Sequence, residues 1–313
     1  MRSTTRAIAA LACASLMTAC GGGGASPIAS APLTESASRT PDVAPDTTSK
    51  CTPKIYVGDY QNNDVLIYPG NVMNPGPCGK IKTGIDAPLG VAVDYDDGVY
   101  VANYLSDSSG GYPINEFLNG TKTPTVTIEA DGPGYDLWVG KGRVLYVAEA
   151  TRSAVAEYGY ASTVPKATLA VNGEPYGVAT DQKNNLYVSY LSNADGVGHV
   201  EEFAPGATTG TDAGFTVPLG GALRIDLQGN IIVGDRNDDL IDVFAPGGTT
   251  PGRSWSTPGR PFYLALNKAE TNLYTGAFGA VYIYDYASGT QVGTITKDLG
   301  QAQGIATFPR QPY

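Results

Sequence analysis

Four polar residues of cation-binding or acid–base type recur at the same place in a repeated phrase. Asp59 closes IYVGD, Asn103 closes VYVAN, Glu149 closes LYVAE and Asp235 closes IIVGD. Carboxylate and carboxamide oxygens are the ligands that hard divalent cations such as calcium take, so four of them brought together would make a cation site. Aromatic residues recur nearby: Tyr135, Tyr176 and Phe262 stand at the start of the apolar runs that precede such phrases, and Tyr190 closes the related LYVSY. Rings offer a ligand apolar faces, and carboxylates orient it. The competing reading is local, because a short Asp or Asn at a strand end hydrogen-bonds its own turn.

Other chemistry is thin. The chain has one histidine, His199 in GHVEEF, where strand alternation puts it on the same face as Glu201. The pair is a candidate general base or partial metal site, with no second histidine to complete a zinc centre; an ordinary strand histidine is the alternative. DYDDG (Asp94 to Gly98) and DLQGN (Asp226 to Asn230) carry hairpin turns rather than the spaced acids of an EF-hand. DRNDD (Asp235 to Asp239) reads as a solvated acidic loop or a cation clamp. Asp136 and Arg224 interrupt otherwise apolar runs, and either pair with each other or line a channel. The tetraglycine at Gly21 follows no strand, so it is not a phosphate loop. No catalytic set emerges.

The elements that must position these residues follow from a repeat. The second residue of each phrase is Tyr56, Tyr100, Tyr146, Tyr187, Ile232 and Tyr274, at intervals of 44, 46, 41, 45 and 42 residues. Each phrase has an apolar run upstream, as in PLGVAVD from Pro88 or PYGVATD from Pro175, and a run ending in an aromatic downstream. The downstream phrase appears twice as FAPG, at Phe203 and at Phe244. Short Val, Ile and Tyr runs punctuated by Gly, Pro, Asn and Asp read as strands joined by tight turns. Four strands per period of this length specify a β-propeller blade, so the expected fold is all-β, with six blades of four antiparallel strands. The chain enters at the second strand of a blade and ends on a lone first strand, QGIATF from Gln303. That C-terminal strand is expected to complete the first blade and leave no exposed edge.

The grammar P-x-G-[IV]-A-x-D followed by G-N-[IL]-Y-V-A-[DN] resembles that of NHL-repeat and related six-bladed propellers of bacterial exported proteins, over roughly residues 54 to 308. Among related propellers, the streptogramin-lyase-like proteins use a histidine and paired glutamates that do not map onto this chain. The gluconolactonase-like proteins hold a divalent cation with oxygen ligands around the channel. That resemblance implies calcium on Asp59, Asn103, Glu149 and Asp235, and with it a metal-dependent lactonase or lyase as the alternative function. The leading expectation is a scaffold without enzymatic activity and without a cofactor, binding a small molecule, glycan or protein on the face that carries Asp59, Asn103, Glu149, Asp235, Tyr135, Tyr176, Tyr190 and Phe262.

The ends and the charge set the compartment. Arg2 and Arg6 precede an apolar stretch from Ala7 to Met17, and LMTAC resembles a bacterial lipobox ending in Cys20. Residues 1–20 are therefore expected to be a lipoprotein signal, with lipid on Cys20. Residues 21–50, rich in Gly, Ser, Ala, Pro and Thr, form a flexible tether, and residues 51–313 form the propeller. The protein is expected to be exported, held to a bacterial membrane only by that lipid, and monomeric. In an oxidising compartment Cys51 and Cys78 are expected to bridge. A net charge of −10 repels phosphate backbones and argues against a nucleic-acid partner.

Overall fold

The computed structural model describes residues 51–118 and 120–312. The signal, the tether and Cys20 lie outside the described residues. Blade 1 consists of β1 (Lys54–Asp59), β2 (Asp64–Pro69) and β3 (Gly79–Ile81), with β24 (Ala302–Phe308) as its inner strand. Blade 2 is β4 (Pro88–Val93), β5 (Val99–Asn103), β6 (Tyr112–Phe117) and β7 (Val126–Ala130). Blade 3 is β8 (Gly134–Val139), β9 (Leu145–Glu149), β10 (Ala154–Tyr158) and β11 (Pro165–Ala170). Blade 4 is β12 (Gly173–Thr180), β13 (Leu186–Ser192), β14 (Gly198–Phe203) and β15 (Thr211–Val217). Blade 5 is β16 (Gly220–Ile225), β17 (Ile231–Asp235), β18 (Leu240–Phe244) and β19 (Arg253–Ser256). Blade 6 is β20 (Tyr263–Leu266), β21 (Asn272–Ala277), β22 (Ala280–Asp285) and β23 (Thr290–Ile295).

All strand pairs are antiparallel, and the inner strands touch in a closed ring, β24 to β4, β8, β12, β16, β20 and back to β24. The expected architecture, including closure of the first blade by the C-terminal strand, is therefore the observed one. Closure completes blade 1 and gives every inner strand an inner-strand neighbour on each side, while the outer strands β3, β7, β11, β15, β19 and β23 remain the edges of their sheets.

The repeat grammar has a physical origin at each position. The aromatic ending the third strand is buried in every blade: Tyr68, Phe117, Tyr158, Phe203, Phe244 and Tyr284. Each contributes roughly 1.5–3 kcal/mol by burial. FAPG is thus an anchor followed by a turn. The Asp that follows the inner strand accepts two backbone N–H groups of the hairpin beyond it. Asp94 takes them from Asp96 and Gly98, Asp181 from Lys183 and Asn185, and Asp226 from Gln228 and Asn230. DYDDG and DLQGN are these hairpins. The glycine before the Val-Ala pair sits where inner strands crowd the axis. A Cβ on Gly90 would stand 2.9 Å from the Leu137 side chain.

One boundary differs from expectation. Tyr135 and Tyr176, taken from the sequence as the starts of their runs, are the second residue of β8 and the fourth of β12. A register shift at the start of the inner strand, between Gly134 and Leu137 and between Pro175 and Gly177, breaks the alternation that marks a strand start.

Cys51 and Cys78 are bridged across 27 residues of sequence, pinning the lead into β1 to the turn before β3. Chain-entropy arithmetic gives such a loop about 3.5 kcal/mol of stabilisation. At the other terminus, residues after β24 turn into one end of the channel. Arg310 donates to the carbonyls of Val93 and Val139, and its guanidinium lies 4.7 and 4.6 Å from the ring centroids of Tyr95 and Trp138. Gln311 donates to the carbonyl of Ile225, 3.2 Å away, and to Glu270. The C-terminal residues thereby tie blades 2, 3, 5 and 6 together and fill that end. No helix among the described residues is long and apolar enough to cross a membrane.

Candidate functional site

At the end of the channel opposite Arg310, the loops after second strands and before inner strands come together. The four polar residues picked from the phrase endings lie there, but three of them are bonded into their own loops. The Asp59 carboxylate accepts from Asn62 and from the backbone N–H groups of Gly300 and Gln301, at 2.8 and 3.0 Å. Asn103 accepts from the N–H of Asp86 and donates to the carbonyl of Gly84. Asp235 accepts from the N–H groups of Asn237 and Asp238. Glu149 takes a 3.3 Å bond from Arg152, and its second oxygen has no partner. Burial pushes the Glu149 carboxyl above its ordinary range, and Arg152 partly offsets this.

Asp59, Asn103, Glu149 and Asp235 are all buried, and they belong to four different blades. The structure does not bring them together. Among the described residues, no group of three or more His, Cys, Asp or Glu side chains is placed to hold a metal ion. The first two instead latch the loop that enters their own blade, which is the local role short polar side chains take at strand ends.

The residues that face the channel mouth are largely one position further on. Side chains alternate along a strand, so the residue after a buried strand end turns to the other side. Tyr60 follows Asp59, Tyr104 follows Asn103 and Arg236 follows Asp235. Together with Tyr135, Tyr176 and Phe262 they make a collar to which each blade gives one side chain. Tyr60 and Tyr104 are 6.3 Å apart between ring centroids, Tyr104 and Tyr135 6.5 Å, and Tyr135 and Tyr176 5.4 Å. The last two pairs meet edge to face, the geometry that ring quadrupoles favour. The Arg236 guanidinium continues the line, 4.0 Å from the Tyr176 centroid and 5.0 Å from that of Phe262. Phe278 stands on the same rim, bridged through its backbone to Gln301, and is 79% exposed.

Burial pushes the Tyr135 phenol up to about 12 and raises that of Tyr176, so both stay protonated near neutral pH. Tyr176 donates its proton to Glu174 at 2.8 Å. The floor below the collar is the buried pair of Asp136 and Arg224, joined by bonds of 2.7 and 3.1 Å. The two readings of this pair are therefore both true, since it is an ion pair and it occupies the channel.

Three sequence candidates lie elsewhere. Tyr190 is buried inside blade 4, stacked on His199, because β13 runs on to Ser192 and places Tyr190 within the strand rather than at its end. His199 has its two ring nitrogens against Asp195, at 3.0 Å, and Asp212, at 3.3 Å. Glu201 accepts from Asn172. These three sit on β13 and β14, the second and third strands of their blade, and share nothing with the collar.

No family model and no curated protein matches the chain. The fold itself has solved counterparts. A chain of the crystal structure of a nidogen/laminin complex aligns with a TM-score of 0.66 at 18% identity, covering 81% of this chain and 97% of that one. A functionally unknown protein from Desulfotomaculum acetoxidans DSM 771 aligns with a TM-score of 0.58 at 16% identity, covering 83% and 86%. At such identities the likeness is one of fold, that of the six-bladed propeller.

Proposed function

We propose that this protein is a binding scaffold of the NHL-repeat type, exported and tethered to a bacterial membrane through lipid on Cys20, which takes its ligand on the aromatic collar. The observation that carries the reading is the unbroken line from Tyr60 to Phe262, one side chain per blade, around a channel mouth. A ring of faces and phenol hydroxyls presents adhesive area to a ligand. The fold supports such a role, since one of its counterparts comes from a nidogen/laminin complex.

Calorimetry on the full chain, with a panel of oligosaccharides, peptides and calcium chloride as probes, tests the collar. At least one organic probe should bind, and Tyr135→Ala should weaken it about tenfold, equivalent to about 1.4 kcal/mol. Binding that ignores Tyr135→Ala, or a panel that gives no heat, would overturn the assignment. The tether has its own test. Palmitate fed to expressing cells should label the wild type and not Cys20→Ala, and equal labelling of both would refute it.

A further inference from the structure

Three arginines are buried in the propeller: Arg224, Arg236 and Arg310. Two have clear compensation. Arg224 is paired with Asp136, and Arg310 is capped by carbonyl oxygens. Arg236 is 6% exposed, yet it makes no ion pair among the described residues. Of the five N–H donors a guanidinium carries, its Nε bonds the carbonyl of Gly220 at 3.0 Å. Its side-chain partner is the Tyr176 hydroxyl, whose own proton goes to the exposed Glu174 carboxylate.

The charge balance around Arg236 is unfavourable. Burial first, and then the cation of Arg260, push its guanidinium below the ordinary range, with Tyr176 and Tyr263 opposing. Arg260 is exposed and makes no ion pair among the described residues either. The nearest acid in sequence, Asp235, is turned into its own loop. Glu174 reaches this site only through the Tyr176 hydroxyl, and a desolvated cation without a directly paired counter-charge is costly. This one is also held rigidly, by the Gly220 carbonyl and by rings on both sides.

A planar cation fixed at a channel mouth with donors unspent is complementary to a carboxylate, which accepts two parallel N–H bonds. The adjoining surface is four tyrosines in line, each with a ring face and a hydroxyl. A sugar ring offers the matching flat C–H face and hydroxyl groups. We propose that Arg236 anchors a carboxylate subsite of the collar, and that the ligand is a uronic-acid-containing saccharide, its carboxylate on Arg236 and its sugar rings along Tyr176, Tyr135, Tyr104 and Tyr60. This rests on the collar reading above and narrows it. Because the whole chain carries −10, recognition of an anion here is local rather than steered from a distance.

The test is calorimetric titration of the full chain with trigalacturonate, its fully methyl-esterified form, triglutamate and inorganic sulfate. The acid should bind about thirtyfold more tightly than the ester. Arg236→Gln should remove that advantage while leaving the ester's affinity within about threefold. Arg236→Lys, which keeps the charge and loses the fork, should stay at least tenfold weaker than the wild type for the acid. Tyr135→Ala should weaken acid and ester alike, and it gives an independent reading if Arg236→Gln fails to fold. Equal affinity for acid and ester, or no effect of Arg236→Gln, overturns the carboxylate subsite and leaves the collar standing. Triglutamate or sulfate bound as tightly as trigalacturonate, with the same dependence on Arg236, overturns the saccharide. No heat from trigalacturonate or its ester overturns the proposal; no heat from the wider panel either removes the collar with it.

Discussion

Ending the chain at Gly300 should abolish the folded state, whereas ending it at Phe308 should leave a folded protein that melts several degrees lower. The first truncation removes β24, which pairs with β1 from Lys54 opposite Phe308 to Asp59 opposite Ala302. Blade 1 then lacks its inner strand. The contacts of β24 with β4 and β20 vanish, and the ring becomes an arc with two open flanks. Ile305, Ala302 and Ala306 leave the core, and the side chains they cover, including Tyr56 and Val57, are uncovered. Loss of closure and of this burial exceeds the 5–15 kcal/mol or so by which domains are stable.

The second truncation spares the strand and removes only Arg310, Gln311 and their neighbours. What goes is a set of carbonyl bonds, the Gln311–Glu270 bond and two ring contacts, together worth roughly 3 kcal/mol. For a domain of this size that is a fall in Tm of about 6–12 °C. Circular dichroism melts of the two truncations alongside the full chain measure both. A cooperative wild-type transition in the Gly300 truncation would show that closure is not what holds the ring.

The ring was legible because its cause is periodic. Six phrases at a near-constant interval, an aromatic in each third strand and a glycine in five of the six inner strands all mark the same crowding repeated about an axis. The ends were legible for the same reason, since a missing strand at one end and a spare one at the other had a single resolution. The collar was legible only in part. Tyr135, Tyr176 and Phe262 stand out as aromatics at inner-strand starts, but Tyr60, Tyr104 and Arg236 hide one residue behind a conspicuous Asp or Asn. A one-residue displacement along a strand changes the side a residue faces, so reading the polar residue selected the side chain turned into its own loop and passed over the one turned to the channel mouth. Arg236 is further masked by DRNDD, which looks like a solvated acidic loop, although its first acid caps its own turn. Tyr190 was misplaced because β13 is seven residues long where β9 and β17 are five. Arg310 follows the last repeat, where no period exists to give it meaning.

Arg224→Met should destabilise the protein by about 3–5 kcal/mol, and Asp136→Leu by more. The Asp136 carboxylate accepts four bonds: from Arg224 at 2.7 and 3.1 Å, from the N–H of Val178 at 3.1 Å and from that of Leu137 at 3.0 Å. Removing the arginine leaves a buried carboxylate with two of its four donors. A buried acceptor group short of half its partners carries an uncompensated desolvation cost, which is what the single variant measures.

Removing the aspartate strands more groups. Arg224 stays charged, its field already disfavours the neighbouring Arg310 cation, and the N–H groups of Val178 and Leu137 lose their acceptor. The double variant Asp136→Leu/Arg224→Met should recover most of the loss, because the uncompensated charge is gone. It should remain roughly 1–3 kcal/mol below wild type for the orphaned N–H groups. Urea titrations of the four proteins at pH 7 close the cycle. Single variants that each unfold within about 1 kcal/mol of wild type, or a double variant as weak as the aspartate single, would mean that the pair does not hold blades 3 and 5 across the channel.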